Sequence, residues 1–91
     1  MEHRYSILND GPKGHIVIVH VEPHEMRDDE GAAWRLYSLR RRLGLDVLLR
    51  ARMEDGSVEV DGDSELCGYG EDPRIDSLPV FTLDSSRPAA A

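Results

Sequence analysis

The chain has 91 residues and a 40% hydrophobic content, enough for one small core and not for two. Its 11 Lys and Arg stand against 18 Asp and Glu, a net charge of −7, which argues against a protein that lives on phosphate contacts. No apolar run approaches the roughly 18 residues of a membrane span, no charged-then-apolar leader opens the chain, and the lone Cys67 has no partner for an internal disulfide; a soluble cytoplasmic domain is expected.

Arg4–Leu8 reads as a short strand with Tyr5 and Ile7 on one side. It runs into Asn9-Asp10-Gly11-Pro12-Lys13-Gly14, a dense cluster of turn formers. His15–Glu22 is β-branched and almost continuously apolar, the pattern of a central strand covered on both faces. Val17, Val19 and Val21 share one face; Ile16, Ile18 and His20 share the other. Pro23, which has no N–H to donate, should end the strand.

Asp28-Asp29-Glu30 opens the strongest helix, because free N–H groups and the macrodipole favour negative charge there. Arg40-Arg41-Arg42 fall in its last turns and Gly44 stands where a left-handed cap is expected. At 100° per residue Ala32, Ala33, Leu36, Leu39 and Leu43 form an apolar stripe that should lie on the sheet. Asp46–Met53 then alternates, with Val47, Leu49, Ala51 and Met53 on one side and Leu48, Arg50 and Arg52 on the other. Asp55-Gly56 signals a two-residue hairpin turn. That turn would set Met53 opposite Val58, Arg52 opposite Glu59, Ala51 opposite Val60 and Arg50 opposite Asp61, pairing like with like and cation with anion.

Asp61–Ser77 is polar and turn-rich, an ordered loop with a short strand near Leu66–Tyr69. Leu78–Leu83 offers a last strand, placed at an edge by Pro79. Residues 85–91 carry no apolar pattern and read as a disordered tail, so the domain is 1–84. The expected architecture is α+β: an antiparallel or mixed sheet of four to five strands, in the order β-β-α-β-β-loop-β, with one amphipathic helix packed on one face. If strands 15–22 and 46–53 run parallel, the intervening helix is a crossover.

Charge is unevenly spread. Residues 26–52 hold seven arginines and four acids, and residues 53–91 hold ten acids and two arginines. Either the acidic third folds back onto the arginines, or one face meets a partner. The acidic third could itself be a surface that engages a basic partner.

Trp34 lies about 160° from Leu36 on the helical wheel, opposite the apolar stripe, with Tyr37, Ser38 and Arg41 beside it. Trp, Tyr and Arg are the residue types that concentrate binding energy at protein interfaces. Trp34, Tyr37 and Arg41 are therefore the candidate contact residues, for a protein partner or for a second copy in a homodimer. The alternative is that the acidic loop or the C-terminal segment covers Trp34.

A second class of function is a small enzyme or metal-binding protein built on His20 and Cys67. His20 and His24 have the spacing of two ligands on a helix, but Pro23 and the β-branched run before it remove the helix, and there is no CxxC or HExxH. Asp61-Gly62-Asp63-Ser64-Glu65 alternates oxygen ligands as a calcium loop does, yet Leu66 stands where the sharp turn needs glycine. Gly68-Tyr69-Gly70 lacks the third glycine of a phosphate cradle. Arg35, Arg40, Arg41, Arg42, Arg50 and Arg52 could form a basic patch, but Arg50 and Arg52 are assigned to the hairpin and the net field repels phosphate. No cofactor, metal or catalytic residue is assigned, and no motif is specific enough to name a family. The favoured reading is a non-enzymatic interaction or regulatory module.

Overall fold

The structure is a computed structural model and describes residues 2–9, 11 and 14–84. The expected tail at 85–91 and much of the first turn cluster lie outside those residues.

Five strands form one mixed sheet in the order β4-β3-β2-β1-β5. They are β1 (Glu2–Asn9), β2 (His15–Val21), β3 (Asp46–Arg52), β4 (Val58–Asp61) and β5 (Phe81–Asp84). The expected architecture holds. β2 and β3 run parallel, so the helical segment between them is a crossover, while every other neighbouring pair is antiparallel. β2 is the middle strand, as its continuous apolar run requires.

That run is buried on two sides by different material. Val17, Val19, Val21, Val47, Leu49 and Ala51 face the main helix, α2 (Asp29–Leu43), which packs Ala32, Leu36 and Leu39 onto them. Ile16, Ile18 and Leu48 face Leu66 and Ile75, which belong to residues 62–80. Asp28 caps α2 by accepting the Gly31 N–H, and Gly44 closes it at φ 66° with its own N–H on the Arg40 carbonyl. Ala33 departs from the expected stripe: it is exposed, while Arg35, on the other flank of the stripe, is half-buried. Pro23 does end β2, and it also starts a short helix, α1 (Pro23–Arg27), because a proline at the first helical position loses no internal bond.

The hairpin exists, but its register is one residue away from the expected one. Arg52 opposes Val58, Ala51 opposes Glu59, Arg50 opposes Val60 and Leu49 opposes Asp61. The turn has three residues, Glu54-Asp55-Gly56, not two. Met53 N–H donates to the Ser57 carbonyl at 2.8 Å, Gly56 N–H donates to the Met53 carbonyl at 3.0 Å, and Gly56 sits at φ 88°. The Asp55 carboxylate accepts both the backbone N–H and the hydroxyl of Ser57, which fixes this longer turn. Val58 and Val60 thus share a face with Arg52 and Arg50, and Glu59 and Asp61 turn to the other.

The expected strand near Leu66–Tyr69 is a helical turn, α3 (Ser64–Cys67), followed by a 3₁₀ turn at Pro73–Ser77. The chain here crosses a sheet face rather than extending the sheet, so its backbone must be satisfied locally. Asp63 O accepts from Leu66 and Cys67, Leu66 O accepts from Tyr69, and Asp72 O accepts from Ile75. β5 is an edge strand as expected, bonded to β1 among the described strands, but it runs from Phe81 to Asp84 and not from Leu78, so Pro79 lies ahead of it.

Candidate functional site

The exposed side of α2 carries the candidate contact residues. Trp34 is 69% exposed and Tyr37 50%, so no described residue covers them. Their rings lie 5.8 Å apart at 33°. One turn on, Arg41 Nη1 donates to the Tyr37 hydroxyl at 3.1 Å, and its guanidinium carbon stands 5.8 Å from the Tyr37 ring centre. The helix brings all three expected residues into one connected cluster: an aromatic pair held by a cation.

Trp34 is also the rim of a groove of about 590 Å³ between α2, α1 and the start of β1. Val21, Leu39 and Leu49 give it an apolar floor. Its polar wall is a chain of three side chains. Glu25 forms an ion pair with Arg35, and Arg35 donates to His3 Nδ1 from Nε at 3.2 Å and from Nη2 at 2.7 Å. His3 is 5% exposed. Burial, then the Arg35 charge, pushes its pKa below 6.5, and burial also lowers that of Arg35. A neutral His3 is what the geometry needs, since Nδ1 accepts. This chain ties α1, α2 and β1 together at the groove. Nothing in the sequence marked His3, because its partner is 32 positions away and neither residue stands in a motif.

His20 lies on the opposite sheet face, in a polar cavity of about 310 Å³ with Arg4, Arg50, Arg52 and Asp76. His20 Nε2 and the Ser6 hydroxyl are hydrogen-bonded at 2.9 Å. Ser6 is fully buried, so this pair presents no accessible nucleophile. Burial first, then Arg50 and Arg4, pushes the His20 pKa below 6.5. Cys67 does not line this cavity; its thiol points to the Gly62 carbonyl at 3.8 Å. His20 and Cys67 are therefore not brought together. Among the described residues no group of three or more His, Cys, Asp or Glu is placed to hold a metal.

The acidic third does fold back onto the arginines, through partners other than the hairpin ones. Arg50, 8% exposed, donates from Nε to the Gly70 carbonyl at 2.9 Å and from Nη2 to Asp76 at 3.1 Å. Arg52 reaches the same Asp76 oxygen at 3.2 Å. Asp63, the middle acid of the supposed calcium loop, lies 3.2 Å from Arg40. These pairings draw Arg40, Arg50 and Arg52 out of the candidate basic patch, as Glu25 draws Arg35.

Comparison with known proteins finds no matching family model, no similar curated protein and no similar solved structure. No helix among the described residues is long and apolar enough to cross a membrane.

Proposed function

We propose that this chain is a small, non-enzymatic, cytoplasmic interaction module that docks a protein through Trp34, Tyr37 and Arg41. One observation carries the reading: the largest aromatic of the chain is 69% exposed and already ordered against Tyr37, itself held by Arg41. A side chain ordered before binding loses less entropy on binding, which is how such anchors come to dominate an interface. The groove beside Trp34 supplies an apolar recess into which a partner side chain can enter.

The test is a photo-crosslinking amino acid placed at the exposed Ala33, next to Trp34, with Glu54 on the hairpin turn as the exposed control. A discrete protein adduct is expected from position 33 in the native cell and not from position 54. Trp34→Ala should abolish the adduct while leaving thermal stability within about 0.5 kcal/mol of wild type, as for a surface residue. No adduct at position 33, or a large loss of stability in Trp34→Ala, overturns the proposal.

A further inference from the structure

The contact face has a symmetry that names its partner. Glu30, Trp34, Tyr37 and Arg41 are spaced by four, three and four residues, and at 100° per residue they fall within an arc of about 60°. All four are exposed. The stripe is anionic at one end, cationic at the other and aromatic between. Its centre, between Arg35 and Leu36, is close to the centre of α2, which runs from Asp29 to Leu43.

Reversing this stripe end for end maps it onto its own complement: Glu30 falls on Arg41, and Trp34 on Tyr37. We infer that the partner of this face is a second copy of the same chain, docked with the two α2 helices antiparallel about a two-fold axis. In that dimer Glu30 of each copy faces Arg41 of the other, and Trp34 of each faces Tyr37 of the other. The inference rests on the docking reading above and adds the identity and register of the partner.

Three features of the chain support it independently of that reading. An isologous contact requires one patch to be complementary to itself, and a stripe with opposite charges at equal distances from an aromatic centre meets that condition. The exposed acids Asp29 and Glu30 at the start of the helix and the exposed Arg41 at its end oppose one another in charge, so antiparallel pairing is attractive and parallel pairing repulsive. The heptad-like 4-3-4 spacing is the one that keeps a stripe in register along a facing helix at the usual 8–10 Å between axes.

One strip spanning roughly 16 Å of helix is a small interface, so a weak, concentration-dependent dimer is expected. Sedimentation equilibrium of the full chain from 20 µM to 1 mM (about these limits) should show the mass rising from 10.2 kDa towards twice that value. Glu30→Arg or Arg41→Glu alone places like charges together twice in each dimer and should weaken association at least about tenfold. The double variant should dimerise again. Most diagnostic is a 1:1 mixture of the two single variants: one copy then carries two cations and the other two anions, so they should pair with each other while each alone stays monomeric. Trp34→Ala should also be monomeric, with a melting curve that superimposes on wild type.

A wild-type chain that stays monomeric at 1 mM refutes the inference, and so does failure of the mixed variants to pair. If the wild type is monomeric but position 33 gives an adduct with a different protein, self-pairing is wrong and the docking reading stands. A monomer with no adduct overturns both.

Discussion

Replacing Gly70 with alanine tests the feature of this fold that sequence pattern reads incorrectly. Gly70 is buried and lies outside the positive-φ glycines, so alanine is compatible with its backbone. The obstacle is space. A methyl group there would overlap Val60 Cγ1 outright and lie 3.1 Å and 3.3 Å from Val60 Cβ and Cγ2. Val60 is there only because the turn has three residues, which puts Val60 opposite Arg50. With a two-residue turn Val60 would project from the other face and Asp61 would stand opposite Arg50 in its place, so only the three-residue register makes the loss depend on Val60.

Forcing a methyl group into packed surroundings costs about 1–3 kcal/mol. The Gly70 carbonyl also accepts the 2.9 Å bond from the buried Arg50, and weakening a bond to a charged group adds about 1.5–3 kcal/mol when it is lost completely. The two effects share one displacement and do not add in full. A net loss of about 3 kcal/mol lowers the melting temperature of a domain this size by roughly 12–24 °C. The control is Gly68→Ala. Gly68 has φ −63° and nothing within 4 Å of the added methyl group, so reduced freedom of the unfolded chain should leave stability level or raise it by up to about 1 kcal/mol. Urea titrations followed by circular dichroism give both values. Val60→Ala introduced into Gly70→Ala should recover part of the loss, with a coupling energy of at least about 1 kcal/mol. A Gly70→Ala protein within about 0.5 kcal/mol of wild type would refute the three-residue register.

Further tests address the rest of the scaffold. Ile75 is 2% exposed and reaches the core from the 3₁₀ turn, so Ile75→Ala should cost about 2–4 kcal/mol in a urea titration if residues 62–80 are a true layer; a loss below about 1 kcal/mol would show a loosely draped loop. Gly44→Ala puts a side chain at φ 66° in open space and should cost about 1–2 kcal/mol from backbone strain alone, with the same assay as the check. His3 and His20 both have folded pKa values below the unfolded 6.5, so on acidification the unfolded chain takes up protons first. Their contribution is fully present above pH 6.5 and is lost as pH falls from there towards the lowered folded values. The urea midpoint should therefore drop between about pH 7.5 and 5.5, a window that leaves ordinary carboxylates ionised, and His3→Gln should flatten part of that drop. A midpoint that rises on acidification would refute the assignment.

The parts of this fold legible in the sequence are those whose signals are local. The Asp28 cap, the terminal arginines and Gly44 mark both ends of α2 because each acts on backbone groups within a turn of itself. The β2 run marks a central strand because burial on both faces leaves no alternation to read. The hairpin register escaped for a physical reason: Asp55-Gly56 fits two turns equally well, and what decides between them is the Asp55 carboxylate on Ser57 together with the burial of Val60 beneath residues 62–80. Matching Arg52 with Glu59 looked favourable only because the competing partner, Asp76, lies 24 positions from Arg52. The site divides in the same way. Exposure of Trp34 follows from one helical wheel, whereas the Glu25–Arg35–His3 chain joins three elements and exists only in the folded state.

The net charge of −7 gains a different meaning once most arginines of the middle segment have an address. Glu54 lies near Arg27, Glu25 holds Arg35, Asp63 holds Arg40, and Asp76 holds both Arg50 and Arg52. Most of these pairs fix one element against another: α1 against the hairpin and α2, α2 against α3, and β3 against the 3₁₀ turn. Arg41 is used differently. Its guanidinium meets Tyr37 on its own helix, at an exposed position, rather than a second element. A cation that braces no part of the fold but orders an exposed aromatic pair serves the surface rather than the core. Glu30 is likewise exposed, at the other end of the stripe. Four of the seven arginines of the middle segment thus meet acids of the final third, while Glu30 and Arg41 stand exposed on either side of Trp34 and Tyr37.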